Sequence, residues 1–173
     1  MAKINILSCN VQGINKNNKY NSCLEYLDRK RIDIALLQET HIMIQDMSKL
    51  ENDRYIVVSS SSAINKTKGV LILISKKLKF NMIVNGNDSD GRITYVKCNL
   101  GDKDILLLSV YAPNTYEPTF YAQLTQILQE YSDCGVILGA DMNAVISPEL
   151  DKSDPAINNP SNTALKNLIS NHS

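Results

Sequence analysis

Residues 104–143 read DILLLSVYAPNTYEPTFYAQLTQILQEYSDCGVILGADMN. An apolar run over 105–111 ends in Tyr111-Ala112-Pro113-Asn114. A helix-spaced set follows over 118–131, with Phe120, Leu124, Ile127, Leu128 and Tyr131 on one face. A second apolar run, 136–138, ends in Gly139-Ala140-Asp141-Met142-Asn143. Strand, helix, strand in that order makes a β-α-β unit, whose two strands run parallel through a right-handed crossover. Ligands of open α/β sheets bind beyond the carboxyl ends of such strands. Tyr111, Asn114, Asp141 and Asn143 all fall there.

Residues 4–39 repeat the plan with little shared sequence. A strand over 4–11 ends in Asn10-Val11-Gln12-Gly13. After a polar loop, Tyr20, Cys23, Leu24 and Leu27 mark a helix. It ends near Arg29-Lys30-Arg31, where cations meet the negative end of the helix dipole. A buried strand over 34–38 then ends in Glu39-Thr40-His41. The middle of the chain predicts a short helical piece near 43–50 and strands at 55–59, 69–75, 80–84 and 92–100. Turns are expected at 59–62, 85–87 and 101–102. A last helix over 161–170 would turn Leu165, Leu168 and Ile169 inward. The sum is α/β: two packed mixed sheets with helices outside, in one domain over residues 1–173.

Composition agrees. Apolar residues are 43% and charged residues 21%, as in soluble globular proteins. Trp is absent and Phe scarce, so Leu, Ile and Val supply the core. Net charge is zero, but sixteen Lys and Arg face ten Asp and Glu up to Lys103, against two and eight from Asp104 onward. A basic half facing phosphates beside an acidic half holding metal would look like this, and so would solvated surface. The cysteines, Cys9, Cys23, Cys98 and Cys134, lack C-x-x-C spacing and sit in apolar segments. They read as buried free thiols in a reducing compartment, which argues against zinc. No signal-peptide pattern is visible, and the longest apolar run, residues 70–74, is too short to span a bilayer. A soluble intracellular protein with no membrane partner is expected.

Glu39 and Asp141 occupy matching places at the mouths of two parallel units. A carboxylate leaving a buried strand is costly unless it is paired, solvated or bound to a cation. Either acid alone reads as an ordinary strand-end residue. Together they suit magnesium, which takes oxygen ligands, often only one or two carboxylates, and keeps waters. Asn10 and Asn143 offer amides to a metal-bound water or a phosphate oxygen, or else serve turn chemistry. Tyr111 offers a hydroxyl to a phosphate oxygen, or else packs at the core edge with a wet tip. Pro113 stiffens the turn between Tyr111 and Asn114. His41 shares a face with Glu39 only if the strand continues, and reads as a loop residue or substrate contact. His172, near the chain end, has no assigned role.

These motifs, with Lys68-Gly69-Val70-Leu71-Ile72 between them, occur in the order found in the endonuclease/exonuclease/phosphatase superfamily. They most resemble the endonuclease domains of LINE-type (non-LTR) retrotransposons. Leu150-Asp151-Lys152-Ser153 is similar to the stretch that follows the Asp-x-Asn motif in vertebrate elements. The resemblance implies a four-layer α/β/β/α sandwich of DNase I-like topology. It implies Mg2+-dependent (or Mn2+-dependent) cleavage of a phosphodiester in nuclear DNA. The partner would be a reverse transcriptase domain of the same polyprotein, primed by the nick. Glu39 would hold the metal with Asn10 beside it. Asp141 and Asn143 would orient the attacking water and the phosphate. Tyr111 and Asn114 would contact the scissile phosphate, with His41 a substrate contact.

The family pattern continues past a final helix to further strands, an Asp-bearing motif and a terminal Ser-Asp-His motif. Residue 173 precedes all of these. The resemblance therefore implies a domain lacking its last strands, impaired as a nuclease. Two further readings stand beside it: an inactive remnant that binds nucleic acid, and a phosphomonoesterase of the same superfamily.

Overall fold

The computed structural model describes residues 3–64, 67–144 and 160–171. The chain forms two compact units, Met1–Tyr111 with Cys134–Asp141, and Ala112–Asp133 with Met142–Ser173.

The first unit holds eight strands among its described residues. β1 (Ile6–Asn10), β2 (Ile34–Gln38), β3 (Tyr55–Ser61) and β4 (Val70–Ser75) form one sheet in the order β1-β2-β4-β3. β5 (Asn81–Asn87), β6 (Ile93–Leu100), β7 (Lys103–Tyr111) and β8 (Gly135–Asp141) form a second in the order β5-β6-β7-β8. β1 pairs parallel with β2 and β7 parallel with β8, as the two β-α-β readings require; every other pairing is antiparallel. Both sheets are mixed, and the α/β expectation holds.

β2 and β4 are buried along their whole length. This explains why residues 34–37 and 70–74 are unbroken apolar runs rather than alternating ones. Leu36, Ile72 and Ile74 on one face meet Val96, Cys98 and Leu107 of the second sheet. The opposite face of the first sheet, through Leu37, Leu71 and Leu73, packs with Leu24 and Leu27 of helix α1 (Asn17–Arg29). Met47 and Leu50 of a short 3-10 helix (Ile44–Leu50) complete that cluster. Each fully buried Leu or Ile here contributes roughly 1.5–3 kcal/mol.

Two predicted turns are strand instead. Residues 85–87 belong to β5, because a Cβ on Gly86 would lie 2.4 Å from the Tyr95 ring: this glycine admits a neighbouring side chain rather than bending the chain. The reversal comes one step later, at Asp88. Its carboxylate Oδ1 accepts the N–H groups of Arg92 and Ile93, and Gly91 takes the left-handed backbone (φ +73°). Residues 59–61 continue β3, because the Ser59 and Ser61 hydroxyls find partners inside the sheets. Ser59 Oγ lies 2.6 Å from Thr94 Oγ1, and Ser61 Oγ donates to the Asp88 carbonyl at 2.7 Å.

In the second unit, α2 (Pro118–Glu130) opens on a proline, which suits the first helical turn. Phe120, Tyr121, Leu124, Ile127 and Leu128 are buried, whereas Tyr131 is only half-buried. Helix α3 (Pro160–Asn171) buries Leu165 and Leu168, but Ile169, expected inward, is 44% exposed. The cysteine reading needs a similar correction. All four are free thiols, but Cys9 is exposed on the outer strand β1 and only Cys98 is fully buried. No described helix is long and apolar enough to cross a membrane. The 150–153 motif and His172 lie outside the described residues.

Candidate active site

Asn10, Asp141 and Tyr111 end β1, β8 and β7, and Glu39 follows the last residue of β2. Register explains the grouping within the first unit. Asn10 pairs with Gln38, and Tyr111 pairs with Asp141. Two residues earlier on β8, Gly139 lies against the first sheet. A Cβ there would stand 2.6 Å from Leu36 Cβ and 2.8 Å from Ser8 Oγ. Lacking that carbon, Gly139 lets the sheets approach, and Asn10 Nδ2 donates to Asp141 Oδ2 at 2.7 Å. A donor this close to a carboxylate makes a charge-assisted bond.

Asn10 also serves the turn chemistry that competed with its functional reading. Its Oδ1 accepts the Gln12 N–H at 3.0 Å, an Asx turn. The two uses are compatible, because an amide has a carbonyl with two lone pairs and two N–H donors.

The strand before Glu39 stops at Gln38, and yet His41 approaches Glu39. Both residues take the left-handed conformation, at φ 51° and 57°. His41 Nε2 consequently lies 3.9 Å from Glu39 Oε2, with both side chains about a quarter exposed. The two therefore meet without any continuation of the strand. Left-handed backbone costs a non-glycine residue about 1–2 kcal/mol. Such strain persists only where the surroundings fix it. Here three backbone bonds do so: Gly13 N–H to Glu39 O at 2.7 Å, Ile14 N–H to Thr40 O at 2.9 Å, and Thr40 N–H to Gly69 O at 3.0 Å. Gly13 makes room for the imidazole, since a Cβ there would meet His41 Nδ1 at 2.8 Å.

Tyr111 has a neighbour that motif reading passed over. The Arg92 guanidinium carbon lies 5.8 Å from the centre of the Tyr111 ring, and Nη1 donates to the Tyr111 carbonyl at 3.4 Å. Arg92 begins no motif, so only the β6–β7 register places this cation by the tyrosine. Gln38, the last residue of β2, has no role in the motif reading. It is buried, and its amide Nε2 reaches Ser109 Oγ at 3.1 Å and the Gly139 carbonyl at 3.2 Å in the second sheet.

In the second unit, Asn143 is also left-handed (φ 44°), a conformation asparagine tolerates. Its Nδ2 donates to the Ala112 carbonyl at 2.8 Å. Asn114 is exposed beyond the buried Ala112-Pro113 pair.

Glu39 and Asn10 offer a carboxylate and an amide oxygen, with the His41 imidazole 3.9 Å from the Glu39 carboxylate. Among the described residues, no three His, Cys, Asp or Glu side chains group to hold a metal. The carboxylate and amide oxygens, with water, are a set that fits Mg2+.

No protein-family model matches the chain. Solved structures do. The endonuclease domain of TRAS1, a telomere-specific non-LTR retrotransposon, superimposes with a TM-score of 0.70 at 16% identity, over 98% of this chain and 70% of that one. The Xenopus laevis APE2 catalytic domain gives 0.71 at 20% identity, over 93% and 66%. An AP endonuclease from Archaeoglobus fulgidus gives 0.67 at 19% identity, over 97% and 70%. The chain shares the fold of these three structures. The chain thus spans about two thirds of the length of these structures, and the likeness runs through both β-α-β units.

Proposed function

We propose that this chain is the DNA endonuclease domain of a LINE-type retrotransposon, a Mg2+-dependent phosphodiester hydrolase that nicks target DNA. The observation that carries the reading is the Asn10–Asp141 bond at the carboxyl ends of β1 and β8, beside Glu39 at the end of β2. The likeness to the TRAS1 endonuclease domain supports the retroelement branch.

Glu39 and Asn10 would hold the ion. A bound Mg2+ supplies charge neutralisation at the scissile phosphate and its leaving oxygen. Asp141, fixed by the Asn10 amide, orients the attacking water and accepts its proton. Asn143 donates to a phosphate oxygen. Tyr111 and Asn114 flank the scissile group, and His41 contacts substrate next to Glu39. Residues 1–173 form one domain of a longer polyprotein with a reverse transcriptase, acting on nuclear DNA.

Supercoiled plasmid is the test substrate. Conversion to nicked circle with Mg2+ or Mn2+, abolished by chelation and by Glu39→Gln, is the expected result. Phosphate release from inositol phosphates without nicking would assign the chain to phosphomonoesterases. Neither nicking nor metal binding would leave it a remnant, and nicking unaffected by Glu39→Gln would remove the metal assignment.

A further inference from the structure

Gln38 ends a strand whose other residues on the same face, Ile34 and Leu36, are apolar and buried. Gln38 itself is 1% exposed. Burying an amide without partners costs several kcal/mol, and a leucine would fill such a site without that demand. The amide is fully engaged instead. Nε2 reaches the Leu36 carbonyl at 3.0 Å, Ser109 Oγ at 3.1 Å and the Gly139 carbonyl at 3.2 Å; Oε1 takes a long contact from Ser8 Oγ at 3.5 Å. Ser109 in turn donates to the Leu37 carbonyl at 3.0 Å. One side chain thereby ties β2 to β1 in its own sheet and to β7 and β8 in the other.

The height of this network is the informative part. Asn10 is the register partner of Gln38, and Asp141 lies two residues beyond Gly139 on the same face of β8. The network is the layer directly beneath the Asn10–Asp141 bond. Apolar contacts are non-directional, whereas a satisfied buried polar network specifies one arrangement. Sliding the sheets by an ångström would part Asn10 from Asp141.

We infer that Gln38 is a positioning residue: it locks the two sheets in the relative height at which the Asn10 amide meets the Asp141 carboxylate. The geometric claim stands on contacts alone. Its consequence for metal binding and cleavage rests on the proposed function.

The test compares Gln38→Met, which keeps volume and loses the bonds, with Ser109→Ala, which removes one partner and is the milder variant if the first fails to fold. Ser59→Ala is the control. It breaks another buried bond between the sheets, to Thr94, on strands β3 and β6 away from the site. The first readout is the Asn10 side-chain amide resonance of the metal-free protein. It should shift toward its solvent-exposed position in Gln38→Met and Ser109→Ala and stay in place in Ser59→Ala. The second is Mn2+ affinity, which should fall about tenfold or more in the two site variants, as when ligand-supporting contacts are lost. The third is nicking, whose kcat should fall with KM for plasmid nearly unchanged. An Asn10 resonance that stays put in both site variants, or moves equally in the control, overturns the inference. If the wild type neither binds Mn2+ nor nicks DNA, the functional reading fails, while the resonance still decides the positioning claim.

Discussion

Asn10 Nδ2 and Asp141 Oδ2 stand 2.7 Å apart although 131 positions separate them in the chain. Three features bring them together: the parallel pairing of β1 with β2, the parallel pairing of β7 with β8, and the missing side chain of Gly139. The site is thus a product of sheet packing, and it should respond to changes in packing as well as to changes in its own groups.

Removing the amide tests the bond itself. Asn10→Ala loses a hydrogen bond to a charged acceptor and should cost about 1.5–3 kcal/mol in urea unfolding. Asn10→Asp sets a second carboxylate against Asp141. It should cost more than the alanine in metal-free buffer and recover part of the loss when Mn2+ is added. Equal midpoints for the two variants with and without Mn2+ would mean that no cation is held there.

Gly139→Ala tests the close approach. Its new carbon would fall 2.6 Å from Leu36 Cβ, in a region already packed from both sides. Overpacking of this kind costs about 1–3 kcal/mol. Because the added carbon pushes at the sheet-to-sheet contact, nicking should fall further than the stability loss alone explains. Circular dichroism melts run beside the plasmid assay separate the two effects.

Glu39→Gly should stabilise the fold and abolish the chemistry. The residue is left-handed, where glycine is at ease and glutamate is not. Relief of that strain is worth about 1 kcal/mol or slightly more. A raised melting temperature together with lost Mn2+ binding would show strain retained for function. A lowered melting temperature would mean that the Glu39 side chain supports the fold.

The thiols give a pH signature. Burial, with smaller contributions from Asp104 and Cys134, pushes the Cys98 thiol from 9.0 up to about 11. Burial, and then Cys9, does the same for Cys23, also to about 11. In each case the folded value lies above the unfolded one, so the unfolded chain gives up these protons first. The stability these two thiols contribute should therefore be constant below pH 9 and be lost as pH rises toward 11. Cys98→Ala should flatten part of that slope. A maleimide at neutral pH should label the exposed Cys9 well before Cys98.

Much of this was legible in the sequence because burial leaves a mark on composition. Residues 34–37 form an unbroken apolar run closed by a polar island, and β2 spans Ile34–Gln38 in the structure. The two β-α-β units and the strand ends carrying Asn10, Glu39, Tyr111 and Asp141 followed from the same signal. Local chemistry was less decisive where it depends on a distant partner. Gly86 looks like a turn residue until the Tyr95 ring above it is known, and Ser59 and Ser61 look like a loop until their partners Thr94 and Asp88 are seen. The approach of His41 to Glu39 depends on two left-handed residues that no periodicity encodes. The same holds for Gln38 and Arg92, whose partners lie on other strands.

A crystal soaked in Mn2+, with its anomalous difference map, tests the central claim most directly. The account predicts a single strong peak at the carboxyl ends of β1, β2 and β8, bound by the Glu39 carboxylate and lost in Glu39→Gln. A Mn2+ peak held by other acids, with density around Glu39 and Asn10 left empty, would contradict it.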